Sequence, residues 1–382
     1  MMLAKTMFEL PEEIKQIRSA VKKFAEAEIK PVCDEYHRKG EFPFELIKKA
    51  GSLGYLAAFI PEEYGGPGAG VLADNVIKEE IAKVDPAFAM AFMTHLGTEA
   101  ILFFGNKEQK ETYLPGVAEG KKIFAFAQTE EQGGSDVASI RTSAKKQGNS
   151  YVINGSKLFI TNAAIADFFV VLARTSPERH KGLTMFIVDS HADGVEARKM
   201  DIIPGFSLSQ TGEVLFNNVI VPEENLLGEL NRGFYQAMRW LDRTRTLIGS
   251  FCLGTAEGAF NLGYNYAKER TLFGKKLFQF EDIRFRLSYL AAELEAAKLS
   301  IYRASALEEK GEPDTKLASM AKVFASKLAE EAASLTFTLH GGYGASMEYP
   351  IYKFWNSAKI SQIIEGATEI HKEIIAKRLD TF

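Results

Sequence analysis

A carboxylate followed by a glycine lies near the C-terminus, as Glu365 and Gly366 in the stretch 362–371 (QIIEGATEIH). Glycine adds no side-chain bulk and lets the backbone turn, so another molecule could approach the carboxylate closely. In an apolar pocket a carboxylate is poorly solvated and becomes a stronger base toward a carbon acid. Glu365 is therefore a candidate general base, and an exposed helix end is the simpler alternative.

A second group of chemical candidates lies in a β-rich part of the chain. The segment 129–136 (TEEQGGSD) directly follows an apolar run, and its glycines and hydroxyls could present N–H groups and oxygens to a polar ligand edge or a phosphate. Further on, Phe159 and Thr161 would lie on the same face of a strand and could line a flat ring. The simpler alternatives are a turn that ends a strand, and a core Phe beside a solvent-facing Thr.

Three more candidates lie in helical segments. Arg270 follows a helix close to Phe273, and its guanidinium could bind a pyrophosphate with two hydrogen bonds. The segment 340–344 (HGGYG) ends the next long helix, where it either admits a ligand backbone or forms only a C-cap turn. Asp242 and Arg245 lie within a helix and could bind an acidic or nucleotide group. A surface arginine and a solvated charged face are the ordinary alternatives.

Several other kinds of site are not indicated. The six histidines are scattered without the spacing of metal ligands, so no metal site is expected. No G-x-G-x-x-G follows a strand, which disfavours a Rossmann dinucleotide site. No nucleophile elbow occurs, although a Ser-His-Asp triad stays open. The formal net charge is −4 with interspersed charges, so we expect no nucleic-acid partner.

The cysteines and the apolar runs indicate the compartment. Cys33 and Cys252 are the only cysteines, and we expect two reduced, buried thiols without a disulfide. The N-terminus lacks the apolar core of a signal peptide and the arginines of a transit peptide. No apolar run is long enough to span a bilayer. These features favour a cytoplasmic protein without integral membrane contact.

The order of the hydrophobic patterns predicts an α+β protein with three domains. Helical periodicity fills most of residues 1–121, short β-rich runs fill 122–226, and long helical patterns fill 227–382. We predict an N-terminal α-helical domain, a middle antiparallel β-domain and a C-terminal four-helix bundle. Three local predictions are a single helix from Pro86 to Phe104, a strand from Ser139 to Ser143, and a hairpin turn at Asn154-Gly155.

In this order, the motifs resemble those of the acyl-CoA dehydrogenase family over essentially the whole chain. TEEQGGSD is similar to the family's T-E-P-x-A-G-S-D, and KLFITN at 157–162 to K-x-W-I-T-N. ERTLFGK at 269–275 is similar to E-R-x-x-F-G-K, and IIEGATEI at 363–370 to I-Y-E-G-T-S-E-I. The segments VPEENLLG and LHGGYG also match. Each motif is weak alone, but these six motifs in register, together with a D-x-x-R at 242–245, are highly specific.

The resemblance implies FAD as the cofactor and an acyl-CoA thioester as the substrate. It implies contacts with the flavin and the thioester for Phe126, Gln128, Thr129, Gly134 and Ser135, and a cover over the isoalloxazine ring from Phe159, Ile160 and Thr161. It places the adenine dinucleotide portion, across a subunit interface, near Arg270, Phe273, Glu281, Thr338, Gly341 and Gly342. Thr368 and Glu369 would complete the flavin site. Asp242 and Arg245 match the family's D-x-x-R, which touches coenzyme A, and Gly366 would lie against the substrate beside the base.

The family mechanism assigns Glu365 as the base that removes the proton α to the thioester carbonyl, while the β-hydrogen leaves as hydride to the flavin. Some family members place the base on the D-x-x-R helix, but Thr244 occupies that position here. The resemblance also implies a homotetramer and an electron-transfer flavoprotein as acceptor. Two alternatives stay open, namely an acyl-CoA oxidase on the same fold and a non-catalytic flavin-bearing binding protein.

Several residues depart from the family pattern. Glu281 and Thr338 stand where glutamines are usual, Asn356-Ser357 replaces an Arg-Asp pair, and Glu131 replaces a proline. Ile364 replaces an aromatic residue beside the base, which suggests a wider acyl pocket and a branched or cyclic acyl group. These departures bear on individual contacts more than on the fold.

Overall fold

A computed structural model of the protein describes residues 9–381. Helices, then strands, then helices follow one another along the chain, which confirms the predicted α+β architecture. The helices of the first part are α1 (Glu12–Phe24), α2 (Cys33–Lys39), α3 (Phe44–Ser52), α4 (Gly70–Val84), α5 (Pro86–Ala91), α6 (Thr98–Phe104) and α7 (Lys107–Ala118). A π-helical turn, Ala25–Ile29, continues α1. The domain limits at 121 and 226 remain predictions.

The middle part forms one mixed sheet. Its strands are β1 (Phe124–Ala127), β2 (Ser143–Gln147), β3 (Ser150–Ile160), β4 (Phe168–Arg174), β5 (Leu183–Asp189), β6 (Val195–Lys199), β7 (Gly212–Pro222) and β8 (Leu226–Leu227). The main path runs β6-β7-β3-β2-β4-β5-β8, with β1 paired to β4. Most pairs are antiparallel as predicted, but β1 runs parallel to β4, and β2 also meets β4 in parallel.

The predicted hairpin turn at Asn154-Gly155 is wrong, because both residues lie inside β3. The register of β3 against β7 shifts between Ile153 and Gly155, so a bulge takes the place of a turn. A Cβ on Gly155 would lie 2.5 Å from the Thr142 hydroxyl oxygen, so this position tolerates only glycine. The turn between β2 and β3 instead falls at Gly148, whose φ is +60°.

Two other local predictions are also wrong. The predicted helix from Pro86 to Phe104 is interrupted between α5 and α6, where Phe124 donates a backbone hydrogen bond to the carbonyl of Thr94 (3.1 Å). The predicted strand from Ser139 is a 3₁₀ turn followed by irregular chain, and β2 begins only at Ser143. In both places tertiary contacts to backbone groups replace the regular hydrogen bonds that periodicity alone would predict.

The last part contains three long helices and two shorter ones. These are α8 (Gly233–Glu269), α9 (Glu281–Glu309), α10 (Thr315–His340), α11 (Ile351–Ser361) and α12 (Thr368–Ala376). Between α8 and α9, the strands β9 (Thr271–Leu272) and β10 (Lys275–Lys276) form a small hairpin. Helices α8, α9 and α10 pack together as three members of the predicted bundle, and α12, the helix after Gly366 that was predicted as the fourth, lies against α10. Helix α11, which was not predicted, also packs against α8 and α10.

The hydrophobic cores explain how distant segments meet at one place. The largest core joins α4 and α5 to α8, α9 and α10, so the first and last helical parts share one interior. A second core joins α6 and α7 to β4, β5 and the start of α8.

Both cysteines are buried and unpaired, as predicted. Across residues 9–381, every helix is too short or too polar to cross a membrane.

Candidate active site

The candidate base lies on a strained turn between α11 and α12. Glu365 has a φ of +50°, and Gly366 follows with +95°. For a non-glycine residue the left-handed conformation is unfavourable, and such residues cluster at functional sites. Lys322 on α10 donates to the carbonyl of Gly366 (2.9 Å), and Nε2 of His371 lies 3.2 Å from the carbonyl of Glu365. The turn is therefore held by two buried side chains from neighbouring helices.

His371 must be neutral with its hydrogen on Nε2. Burial, followed by the positive charges of Lys322 and Arg245, lowers the pKa of His371 to about 3. A carbonyl oxygen only accepts hydrogen bonds, so Nε2 is the donor toward Glu365. The family motifs did not identify Lys322 or His371. Lys322 lies in none of the motifs, and His371 directly follows the last residue of IIEGATEI at 363–370.

The carboxyl group of Glu365 is enclosed although the residue keeps some exposed surface. The Thr244 hydroxyl donates to Oε2 at 3.0 Å. Burial raises the pKa of Glu365 to about 7, since the hydrogen bond from Thr244 and the charges of Lys322 and Arg245 offset desolvation only in part. A carboxylate with this pKa is protonated and deprotonated in comparable amounts near neutral pH, which suits a general base.

Asp242 and Arg245 form an ion pair on α8, close to the base. Arg245 is almost fully buried, whereas Asp242 is partly exposed and accepts a hydrogen bond from Thr315 on α10 (3.0 Å). Thr244 contacts Glu365 directly, and the charge of Arg245 acts on the pKa of Glu365, so both residues of α8 lie near the base. The structure thus brings the predicted substrate-contacting pair and the predicted base together.

The strand end after β1 is held by a buried ion pair that the sequence did not reveal. Lys157 on β3 donates to Oε1 of Glu130 (2.8 Å) and to the carbonyls of Gln128 (3.0 Å) and Leu172 (2.7 Å). Burial lowers the pKa of Lys157 to about 8, and Glu130 opposes that effect. The period-two alternation of β3 from Tyr151 already points Lys157 inward, which was the available signal.

Glu130 satisfies further backbone groups of the same region. Its carboxylate accepts from the backbone N–H of Arg141 (2.6 Å) and of Thr142 (2.9 Å). Leu158 donates to the carbonyl of Thr129 (2.8 Å), which ties the segment to β3 a second time. With this backbone fixed, Oε1 of Gln128 is buried and lacks a partner within residues 9–381, as expected of a ligand-facing group.

The aromatic candidates on the sheet are exposed or at its edge. Phe159 is 61% exposed and has a φ of +57°, so it is not the core residue of the simpler alternative. Thr161 is half-buried, but the Ile160 side chain is buried, so only the backbone of Ile160 could contact a ligand. Phe126 packs on Trp240 of α8 with ring centroids 4.4 Å apart. Gly134 and Ser135 are exposed.

A second group of candidates lines a groove of about 660 Å³ on the C-terminal helices. Arg270, Thr338, Gly341 and Gly342 all border it. No described atom lies within 4 Å of a Cβ built on either glycine, so the space above both is open. Glu281 begins α9 as an exposed residue and is not among the lining residues. At the base site, Thr368 begins α12 and Glu369 is exposed.

Phe273 lies beside this groove in an unusual conformation. It is 92% exposed, and it forms the two-residue turn of the β9–β10 hairpin with Gly274. Both residues have positive φ, as a type I′ turn requires, although asparagine is the usual first residue of such turns. Phe159, Phe273 and Glu365 are thus strained at positions that the family motifs assign to function.

Comparison with known proteins identifies the class. Three family models match in order: acyl-CoA dehydrogenase, N-terminal domain at 11–121, middle domain at 125–219 and C-terminal domain at 231–380. An acyl-CoA dehydrogenase of Bacillus subtilis is 40% identical over 371 residues, covering 96% of this chain and 98% of that protein.

Two further proteins are similar over nearly their whole length. An acryloyl-CoA reductase (NADH) of Anaerotignum propionicum is 38% identical, over 97% of this chain and 95% of that protein. The structure of butyryl-CoA dehydrogenase from Megasphaera elsdenii matches with a TM-score of 0.93 and 36% identity, over 97% of this chain and 99% of that one.

The fold, the enclosed carboxylate and these matches define a flavin-dependent oxidoreductase that acts on CH–CH bonds. The chain belongs to the acyl-CoA dehydrogenase family, and its cofactor is FAD. The residues present fit this cofactor. The unpartnered Gln128 oxygen and the exposed Phe159 suit the ring system, and the open glycines beside Arg270 suit a pyrophosphate.

Proposed function

We propose that the protein catalyses the α,β-dehydrogenation of an acyl-CoA thioester to the trans-2-enoyl-CoA, with Glu365 as the base. The observation that supports this most is the enclosed carboxylate on a strained turn, with its pKa raised by burial to about 7. The raised pKa makes the carboxylate a stronger base than an exposed glutamate, and removal of a weakly acidic α-proton needs such a base.

The residues around Glu365 orient it for this proton transfer. The Thr244 hydroxyl holds one carboxylate oxygen at 3.0 Å, so the other oxygen is left to take the proton. Lys322 and His371 hold the backbone of the turn. When bound, FAD supplies the acceptor for the β-hydrogen, which leaves as hydride.

Charge that develops on the thioester oxygen needs donors already in place. The backbone N–H of Glu365 is one candidate, since no described residue accepts a hydrogen bond from it. Removing a preorganised donor of this kind costs on the order of a hundredfold in rate. Ser135 and Gly366 would lie against the thioester, and Asp242 with Arg245 against coenzyme A.

We also propose a homotetramer in which a second protomer completes the dinucleotide site. Phe273 is 92% exposed beside the groove, and Phe285 and Tyr289 on α9 are 61% and 68% exposed. Large exposed apolar side chains on one element are typical of an interface. Sedimentation of Tyr289→Asp tests this proposal: dissociation with loss of flavin supports it, and an unchanged mass with full flavin content contradicts it.

For the electron acceptor we propose an electron-transfer flavoprotein, as the family resemblance implies. A second candidate is the reductive direction, because the relative from Anaerotignum propionicum is named as an NADH-dependent acryloyl-CoA reductase. Parallel assays with an electron-transfer flavoprotein, oxygen and NADH separate these candidates and the oxidase alternative, since only the oxidase would release hydrogen peroxide.

The test of the proposed reaction is an anaerobic titration of the purified, flavin-loaded protein with a panel of acyl-CoA thioesters. Bleaching of the visible flavin absorption by a saturated thioester is the expected result. A flavin that stays oxidised with every saturated thioester, but is re-oxidised by an enoyl-CoA after reduction, would instead support the reductive direction.

A further inference from the structure

Buried polar atoms without partners concentrate on one side of the candidate base. Oδ2 of Asp74 and Nε2 of His95 lie 3.4 Å from each other, and without them more than half of all such side-chain atoms of the described residues still lie in three neighbouring segments: 74–75 of α4, 94–99 around the start of α6, and 236–250 of α8. Helices α4 and α6 both pack against α8. A buried polar atom without a partner costs free energy, so a cluster of them indicates a place where something polar binds.

Glu99 is the carboxylate of this cluster. Its side chain is fully buried, and Oε2 accepts a hydrogen bond from the backbone N–H of Gly97 (2.9 Å). Oε1 has no partner within residues 9–381. The Gly97 contact fixes the orientation of the carboxylate, so the unpartnered oxygen is presented in a defined direction rather than free to turn toward other donors.

The segment that carries this carboxylate packs beside Phe126, and the charge of Glu99 acts on Glu365. A Cβ on Gly97 would lie 3.0 Å from Cβ of Phe126, so the segment before Glu99 packs against a predicted flavin and thioester contact. Trp240, which packs on Phe126, has an unpartnered indole nitrogen. After burial itself, the negative charge of Glu99 contributes to the raised pKa of Glu365, which requires the two carboxylates to be near each other.

We propose that Glu99 forms a polar subsite at the acyl end of the substrate, and that the preferred acyl group bears a hydrogen-bond donor such as a hydroxyl or amino group. The inference rests on the proposed acyl-CoA dehydrogenase function and names its substrate class. A plain hydrocarbon chain would leave Oε1 of Glu99 buried and unpaired, whereas a donor would satisfy it.

The charges of the subsite also select against an anionic acyl group. Glu99 and Glu365 are both carboxylates, and a third negative charge between them would be repelled. Arg243 also belongs to the cluster: its Nε lies 3.2 Å from Glu308, whose carboxylate offsets its charge, and its two Nη atoms have no hydrogen-bond partner within residues 9–381. A substrate with a terminal carboxylate is therefore expected to be the poorest of a matched series.

The experiment compares three thioesters that differ only at the distal end: ω-hydroxypentanoyl-CoA, hexanoyl-CoA and adipoyl-CoA. Steady-state kcat/KM and calorimetric Kd are measured for the flavin-loaded wild type, Glu99→Met, Glu99→Gln and the exposed control Glu108→Met. We expect the wild type to prefer the hydroxyacyl over the methyl compound by about tenfold or more, the strength of a hydrogen bond to a charged group. Glu99→Met should bring that ratio close to one, Glu99→Gln should keep part of it, and Glu108→Met should leave it unchanged.

A wild type that prefers hexanoyl-CoA, with the same ratio in Glu99→Met, would overturn the proposal and mean that the oxygen contacts water only. If Glu99→Met does not fold, the ratio in Glu99→Gln decides. The calorimetric Kd separates a failure of this inference from a failure of the proposed reaction. Selective binding of the hydroxyacyl compound without flavin bleaching would contradict the proposed dehydrogenation but support the polar subsite.

Discussion

The two sides of the candidate site hold buried charge in opposite ways. On the β-sheet side, Lys157 and Glu130 satisfy each other and four backbone groups. On the helical side, Glu365 is enclosed with one hydroxyl donor, and Glu99 keeps an unpartnered oxygen. The first arrangement lowers the energy of one fixed geometry. The second arrangement leaves the two carboxylates poorly stabilised, so that a proton can bind to one and a substrate can form a hydrogen bond with the other.

We propose that this difference separates two roles, with the sheet side holding the cofactor and the helical side acting on the substrate. A fully satisfied buried network rigidifies the structure around it. A poorly solvated carboxylate is high in energy and therefore reactive toward protons. Substitutions on the sheet side should thus change stability and flavin retention, whereas those on the helical side should change catalysis and its pH dependence.

The largest expected effect is on the helical side, with Glu365→Gln. We expect the variant to keep its flavin and its fold but to lose substrate-dependent bleaching by about a thousandfold, since a positioned base contributes roughly a hundred- to ten-thousandfold. Stopped-flow absorbance measures the rate. The matched control is Glu373→Gln on the exposed face of α12, which should react at the wild-type rate. Loss of flavin from Glu365→Gln would contradict the expectation that only substitutions on the sheet side change flavin retention.

The next largest effect is on the sheet side, with Lys157→Met. Removing the ammonium leaves the Glu130 carboxylate buried without its counter-charge, and breaking such a pair costs about 3–5 kcal/mol. Urea unfolding and flavin content are the measurements. The exposed control Lys146→Met, which loses a surface pair with Glu223 and a cation–π contact with Tyr151, should cost about 1 kcal/mol. Equal losses of unfolding free energy in the two variants would show that the buried pair stabilises the protein no more than the surface pair does.

A smaller effect is expected for Gly366→Ala. Alanine at a φ of +95° is strained by about 1–3 kcal/mol, and its Cβ would lie 3.0 Å from Nε2 of His371. Gly311→Ala is the control, because its φ of +78° is also positive but no described atom lies within 4 Å. The difference in unfolding free energy between the two variants isolates the His371 contact. A larger loss of unfolding free energy in Gly311→Ala would mean that His371 does not constrain the turn beside Glu365.

The smallest expected effect is a shift in the pH dependence of the bleaching rate. The bleaching rate should rise as pH increases through about 7, because only deprotonated Glu365 is a base. Thr244→Val removes a hydrogen bond that stabilises the carboxylate, so the midpoint should rise by about one pH unit. The control Thr255→Val removes a hydroxyl bonded to its own helix and should leave the midpoint in place. A midpoint that falls in Thr244→Val contradicts the assigned role.

The same raised pKa has a consequence for stability. Because the pKa of Glu365 is higher in the folded protein than in the unfolded chain, the group favours folding most strongly at low pH. This contribution disappears as pH rises through about 7. It should be absent in Glu365→Gln.

Much of the fold followed from the sequence, because periodicity, turn residues and motif order agree along the chain. The order of helical and β-rich parts was confirmed. The exceptions are instructive: Asn154-Gly155 has the composition of a turn but lies inside β3, where the register against β7 shifts and Thr142 leaves no room for a Cβ on Gly155. Local sequence does not specify which strand lies beside it.

The candidate site was predicted less completely than the fold. Glu365, Asp242 and Arg245 were identified by their motifs, and the structure brings them together. Glu99, Lys322 and His371 were missed because a charged or titratable residue in a helix is normally exposed. Their burial arises from packing between helices far apart in the sequence, which a single sequence does not display. Lys157 was visible in a motif, but its role depended on the position of Glu130.

The most direct test of the central claim is α-hydrogen exchange. The protein is incubated in deuterated buffer with a 3-thiaacyl-CoA, in which sulfur replaces the β-carbon so that no hydride can leave, and deuterium incorporation is followed by mass spectrometry. We predict exchange by the wild type, with a rate that rises through pH 7, and none above background by flavin-loaded Glu365→Gln. Exchange at the wild-type rate in Glu365→Gln would contradict the assignment of Glu365 as the base.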